Sequence, residues 1–322
     1  MPNIWLRTAL LIALAVTASR PAVAWPDGPV RIVVPYAAGG TTDVFARIVA
    51  ARLQVRLGQP VVIENVAGGA GNNGAALVAK SPANGNTLLI ATPGPAVMNQ
   101  FMYRKMPFDT ATAFAPVVYI AYFPSVLVVS PRLKAASMAE FIGEMKALPD
   151  GANFGSAGMG STGHLGGTLF LAKTGLKGQH IPYRGSGPML QDLLAGNIHF
   201  TVDTVPGVMS FIISGSLRAL AITGNRRAPA IPDVPNNIEA GIPDVEMSSW
   251  VVLMAPAGTP REIVDRVNAE TNAALREPEL AQRVAELGAV PAGGSPEDLA
   301  AFLRSESDKW KRVIEAAGIR ID

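Results

Sequence analysis

Ser161, His164 and Asp203 are the residue types of a hydrolase relay: a hydroxyl nucleophile, an imidazole base and a carboxylate to orient it. Their spacing argues against that use. Ser161 and His164 stand three residues apart in "GSTGHL", near the start of a helical pattern, and no G-x-S-x-G elbow surrounds the serine. A histidine so placed orients a ligand or packs. Two glycine patterns invite a dinucleotide reading instead: Gly69-x-Gly71-x-x-Gly74 and Gly158-x-Gly160-x-x-Gly163. That fingerprint needs an acid about 20 residues on, at the end of the next strand. After the first match the strand is "TLLIATPG", ending in Ala91-Thr92, and no suitable acid follows the second. With 32 glycines in the chain, both matches are expected by chance.

The remaining chemistry is anion binding by backbone. In "RIVVPYAAGGTTDVFARIVAARL" the apolar run Ile32-Val33-Val34 ends at Pro35, the small residues Ala37–Thr42 turn, and a helix is expected over Thr42–Leu57. Glycine lets the backbone approach a ligand closely. The first N–H groups of a helix lie at the positive end of its dipole, so such a turn can hold an anion without a charged side chain. A triphosphate loop would need Lys followed by Ser or Thr, which this turn lacks. A tight connection with no ligand is the plainer alternative. Asp43 suits the helix start but repels an anion unless its carboxylate points away. "NFGSAGMGSTGHLGGTLF" (Asn153–Phe170) repeats the device, with a strand to Ser156, a small-residue turn and a helix from about Ser161-Thr162. Asp203 ends a later strand, at the carboxyl edge where open parallel sheets collect ligands, or it caps the turn that follows. Tyr183 and Arg184 are similarly placed, and Arg184 either meets a carboxylate or faces solvent.

Short apolar runs alternating with helical patterns imply α/β layering with parallel strands. Strands are expected at Val30–Pro35, Val61–Glu64, Thr87–Ala91, Val117–Ala121, Val126–Val129, Asn153–Ser156, His180–Tyr183, Ile198–Asp203, Leu217–Thr223 and Trp250–Ala255. Ser137 with Glu140 predicts a capping box, Thr259-Pro260 with Glu262 an N-cap and first-turn proline, and Ser295-Pro296 the start of a C-terminal helix ending near Ala317. A helix from Pro188 to Leu194 is stopped by Gly196. Two segments read as crossings between units: Phe114–Pro131, interrupted by Pro124, and the proline-rich Arg226–Trp250. The simplest topology inserts one α/β unit into another, with two connecting strands as a hinge and a cleft between. The expected boundaries are 25–124 for the first unit, 125–227 for the second, and 228–322 completing the first.

The bulk numbers narrow the function classes. Arg7, an apolar stretch Ala9–Ala18 and "Ala22-Val23-Ala24" read as a signal peptide cut after Ala24, too short for a membrane span. Removing Arg7 and Arg20 leaves 25 Lys+Arg against 25 Asp+Glu, so a nucleic-acid footprint is not supported. The absence of Cys excludes disulfides, thiolate metal sites and Cys nucleophiles. His164, His180 and His199 have no metal-ligand spacing, so neither metal nor cofactor is expected. Residues 25–322 are enough for two domains with ordinary cores.

In this order, the motifs resemble the extracytoplasmic solute-binding proteins of tripartite tricarboxylate transporters, the Bug or TctC-type family. The likeness runs through "RIVVPYAAGGTTD", "VVIENVAGGAGNNG", "LLIATPGPAVMN", "MPFDTATAFAPV", "GSAGMGSTGHL", "HIPYRGSGPMLQDLLAGNIHF", "LRALAITGNRR", "IPDVPNNIEAGIP" and "APAGTP". It implies a two-lobed Venus-flytrap binding protein of type II-like form, each lobe a mostly parallel sheet flanked by helices, joined by a two-strand hinge. It implies no catalysis. The ligand would be a small carboxylate or amino acid, delivered by a monomer to membrane transporter subunits, or by a same-fold sensor to a signalling receptor. Carried over by position, the first-lobe site is Tyr36, Ala38, Gly39, Gly40, Thr41 and Thr42 with Thr92 nearby. The second is Ser156, Ala157, Gly158, Ser161, Thr162 and His164, with Asp203 at the ligand's distal end and Tyr183 and Arg184 as further candidates. Ala67, Thr168 and Asn236 depart from residues common in the family, which bears on loop shape and specificity.

Overall fold

A computed structural model describes residues 25–39, 41–183 and 185–321. The expected signal peptide, Gly40, Arg184 and the side chain of Thr41 lie outside what is described. The first unit opens with β1 (Val30–Val34), α1 (Thr41–Leu57), β2 (Val61–Asn65), α2 (Asn72–Ala79), β3 (Thr87–Ala91) and a short α3 (Asn99–Met102). The long β4 (Phe114–Val129) leads to α4 (Met138–Lys146), β5 (Phe154–Ser156), α5 (Thr162–Thr174), β6 (His180–Pro182), α6 (Ser186–Ala195), β7 (Phe200–Thr204), α7 (Val205–Ile213) and β8 (Arg218–Ile222). The chain returns through β9 (Ser248–Pro256) and ends with α8 (Arg261–Leu275), α9 (Pro278–Glu286), β10 (Val290–Pro291) and α10 (Pro296–Ala316).

The strands run in the order β2-β1-β3-β9-β4-β7-β5-β6, with β8 and β10 pairing to β4. β1, β2 and β3 pair in parallel, as do β5, β6 and β7. β9 is antiparallel to β3 and β4, and β4 is antiparallel to β7 and β8. The antiparallel partners are thus mainly the strands that pass between the units. Each parallel triplet is covered on both faces, and β1 sends Ile32 and Val34 to one core and Val33 to the other. That two-sided burial is why its sequence is a continuous apolar run.

The structure corrects three expectations. Val117–Ala121 and Val126–Val129 belong to one strand, 16 residues long, running through Pro124. Its partner changes there: Phe123 and Pro124 face Ser249 and Ser248, whereas Ser125 faces Thr204 and Val126 faces both Asp203 and Ile222. A proline lacking an N–H is tolerated where one ladder gives way to another. Met247 runs beside this crossing, its N–H donating to Thr223 O at 2.8 Å while Thr223 N–H donates to Ser125 O at 2.8 Å. The second correction is Thr259, whose hydroxyl turns back to donate to Pro256 O at 2.7 Å, leaving Pro260 at the N-cap without a side-chain cap. Ser137 and Ser295 do cap their helices, the latter in a full capping box with Asp298. Glu140, expected to complete the box at Ser137, instead accepts from Ala136 N–H at 2.8 Å.

Gly74 settles the first glycine pattern in packing terms. A Cβ there would lie 2.8 Å from Pro35 Cα, so the last glycine of the pattern permits α2 to press against the end of β1.

Candidate ligand-binding cleft

The first strand–turn–helix element is braced from beneath. The Asp43 carboxylate is buried; Oδ2 accepts Gly39 N–H at 2.8 Å and Arg47 Nε–H at 2.9 Å, and Oδ1 accepts Asn65 Nδ2–H at 3.0 Å. The Arg47 hydrogen bond leads the interactions that hold its pKa down to about 2. Asn65 also donates to Tyr36 O at 3.1 Å. Asp43 therefore engages one N–H that the sequence left open to a ligand, and its charge is matched within the unit. Tyr36 and Thr92, from the ends of β1 and β3, meet hydroxyl to hydroxyl at 2.6 Å, and burial pushes the Tyr36 phenol up. Ala38 and Gly39 are exposed on the turn, Gly39 with φ of 84°, and Thr42 is half-buried at the helix start.

The second element is braced without charge. The Ser156 hydroxyl is fully buried at the end of β5; it donates to Gly158 O at 2.9 Å, accepts Gly158 N–H at 3.1 Å, and lies 2.6 Å from His180 Nε2. With its own proton on Gly158 O, it accepts from His180, which fixes that ring as the Nε2–H tautomer. Ser161 caps α5 by accepting His164 N–H at 3.3 Å, and its hydroxyl donates to Gly158 O at 2.7 Å. A cavity of about 120 Å³ lies against this helix start, lined by Ala157, Ser161, Thr162, Gly163 and Met189, with Thr201, Asp203 and Thr204 of β7. Asp203 accepts Thr204 N–H at 2.7 Å and the Ser186 hydroxyl at 3.1 Å, and burial raises its pKa. It thereby ties the start of α6 to the carboxyl end of β7. The tip of this turn also approaches the first unit, since a Cβ at Gly160 would lie 3.2 Å from both Met102 and Ile321.

The model of the tripartite tricarboxylate transporter family receptor matches residues 45–319. BugT of Bordetella pertussis is 37% identical over 92% of this chain and 91% of its own length. Among solved structures, R. palustris Rpa4515 with adipate gives a TM-score of 0.79 at 42% identity, covering 92% of this chain and 99% of that one. MatC (Rpa3494) from Rhodopseudomonas palustris with bound malate gives 0.75 at 30% identity, covering 90% and 100%. The chain belongs to the tripartite tricarboxylate transporter receptor family. Its architecture is the two-lobed α/β form of a periplasmic binding protein.

Within this receptor the positions read from the sequence fall into three groups. Tyr36, Ala38, Gly39, Thr42 and Thr92 gather around the first turn, while Ala157, Ser161, Thr162 and Asp203 line the cavity at the second. Ser156 and Gly158 lie just behind the second turn and shape it. The third group turns away. His164 Nδ1 accepts Gly160 N–H at 3.0 Å, and its ring stacks on His180 at 3.9 Å in a different groove. Tyr183 donates its hydroxyl to Asp192 at 2.6 Å, and its pKa is pushed up to about 12 by burial and that carboxylate. Among the described residues no hydrogen bond joins the side chains of Ser161, His164 and Asp203, so a relay does not form. No cluster of three or more metal-ligating side chains occurs among the described residues. His180 is the structural residue that sequence reasoning missed. Its link to Ser156 arises from the parallel register of β5 and β6, which no local pattern encodes.

Proposed function

We propose that this receptor captures a small organic carboxylate between its lobes in the periplasm and presents it to the membrane subunits of a tripartite tricarboxylate-type transporter. It does so as a non-catalytic monomer of residues 25–322, exported by a signal peptide cut after Ala24. The observation that carries this reading is the pair of strand–turn–helix elements, in which turns of small residues lead into the starts of α1 and α5. Each supplies N–H groups at the positive end of a helix dipole, which suits an anion without a lysine or arginine. The ligand residues are Tyr36, Ala38, Gly39, Gly40, Thr41, Thr42 and Thr92 on one lobe, and Ser156, Ala157, Gly158, Ser161, Thr162, His164 and Asp203 on the other, with Tyr183 and Arg184 alongside. Ser156, His164 and Tyr183 act through the shape of the turn and β-edge. We set the first lobe boundary at 124/125, where β4 changes partner, and the return near Met247–Ser248 rather than at 227/228, because Ala228, Ile231, Ile242 and Val245 pack in the cores of the second lobe. The relatives seen with adipate and malate support a carboxylate as the class of ligand. Asp203, with its raised pKa, would accept a hydrogen bond from a hydroxyl or ammonium group at the distal end of the ligand.

A thermal-shift screen of residues 25–322, unfolded and refolded to strip carried-over ligand, tests this directly. Mono-, di- and tricarboxylates, amino acids and aromatic acids are compared with nucleotides and neutral sugars. A ligand at 100 times its Kd stabilises by about 2.7 kcal/mol, a readily measured rise in Tm. Shifts confined to carboxylates are the expected result. A shift from a nucleotide or sugar, with none from any acid, overturns the reading.

A further inference from the structure

A groove of about 840 Å³, far larger than the cavity beside Asp203, opens on another part of the molecule between α5 and α10. Its volume is in the range of small-molecule sites. Its walls are apolar: Phe154, Leu169 and Leu176 from the second lobe, Val313 and Ile319 from the C-terminal segment. Charge is confined to its more exposed lining. Lys173 is paired with Asp244 at 3.9 Å, and Lys309 with Glu306. Arg312 is different. Its Nε donates only to the Asp308 carbonyl at 3.1 Å, and among the described residues no carboxylate is within ion-pairing reach of it.

The inner end carries a second, independent feature. His164 is 4% exposed and lines this groove. Because Nδ1 accepts Gly160 N–H, the neutral ring carries its proton on Nε2, and among the described residues nothing accepts that proton. His164 at the inner end, apolar walls and an unpaired guanidinium at the mouth make a polar–apolar–cationic sequence of groups.

We propose that this groove is a second ligand site, separate from the cleft, for an organic acid with an apolar body. The carboxylate meets Arg312, with Lys309 beside it, and the hydrocarbon or aromatic body lies along Leu169, Leu176, Val313 and Ile319. An oxygen at the inner end accepts from His164 Nε2.

Octanoate and 2-naphthoate are the probes, titrated calorimetrically into refolded protein and into variants whose Tm confirms folding. Ala172→Trp fills the groove from an exposed lining position; Ala316→Phe does so from the facing helix if the first variant fails to fold. Ala157→Trp blocks the cleft cavity instead. The expected result is one-site binding, lost in the groove-filled variant, weakened at least tenfold in Arg312→Glu, and unchanged within twofold in Ala157→Trp. No heat from either probe at 5 mM overturns the proposal. So does equal affinity in the groove variants, or loss in Ala157→Trp with retention in Ala172→Trp, which would place the probe in the cleft.

Discussion

Ser161→Asp separates the stability of α5 from anion binding at its start. Ser161 caps the helix through His164 N–H at 3.3 Å, and aspartate serves that position as well as serine while favouring the positive dipole end. The Gly158 carbonyl loses the Ser161 hydroxyl but keeps Ser156 at 2.9 Å. The Asp variant should therefore melt within about half a degree of the native protein. Ser161→Ala, which removes the cap, should lose about 1 kcal/mol, or about 1.5–2 °C. Binding reverses the order. Two like charges about 5 Å apart at an effective dielectric of about 20 repel by about 3 kcal/mol, on the order of a 100-fold loss of carboxylate affinity. The Ala variant keeps the helix dipole and should weaken binding only a few-fold. Calorimetric titration with the acid giving the largest thermal shift reads the affinities, and melting curves read the caps. Native-like affinity in Ser161→Asp would refute the claim that the start of α5 holds the anion.

Three further outcomes follow from the geometry. Burial holds His164 and His180 down to about 4, so the unfolded chain takes up protons below about 6.5 that the native protein refuses. Stability should be full above that pH, fall toward pH 4 and then level, whereas the Asp43 contribution is lost only as pH falls from about 4 toward about 2. A urea midpoint unchanged between pH 7 and 5 contradicts the histidine assignment. Glu306 accepts the indole N–H groups of Trp250 at 3.2 Å and Trp310 at 3.1 Å, so Glu306→Leu should cost about 2–5 kcal/mol and Glu306→Gln, which keeps an acceptor, distinctly less; equal urea midpoints would refute this. Gly74→Val should lose about 1–3 kcal/mol against the Pro35 backbone, and a urea midpoint like the native one would remove the packing explanation for that glycine.

Much of the fold is legible because its signals are local. Apolar runs bounded by Gly and Pro locate the strands of both parallel triplets, and Ser137, Ser161 and Ser295 mark helix starts through hydrogen bonds within four residues. What escaped depends on partners distant in sequence. Pro124 looks like a strand break until its neighbours are known to change from β9 to β7 and β8. Thr259 has the composition of a cap, but its hydroxyl closes the preceding turn. His164 shows the same limit at the site. It is three residues from Ser161 in sequence, yet it repeats with Thr168 and Ala172 at intervals of four, so the three share a helix face. That face lines the large groove, while the start of the same helix lines the cavity beside Asp203.

The two turns are braced by different electrostatic means, and this bears on how an anion is held. At the first, a carboxylate sits beneath the helix start, but Arg47, Asn65 and Gly39 N–H absorb its charge. At the second, a serine and a neutral histidine brace the turn, and the nearby acid, Asp203, stands in the cavity lining on β7 rather than among the bracing bonds. A carboxylate at the second turn therefore does not share its N–H groups with a bracing acid, whereas at the first it must share them with Asp43. Both turns are held by hydrogen bonds within their own lobes, and the main conformational cost of capture is bringing the lobes together. Asp43→Asn puts this asymmetry to work as a test: removing the competing charge should strengthen carboxylate binding by a few-fold despite a loss of stability, and weaker binding would mean that Asp43 matters to the ligand only through the shape of the turn.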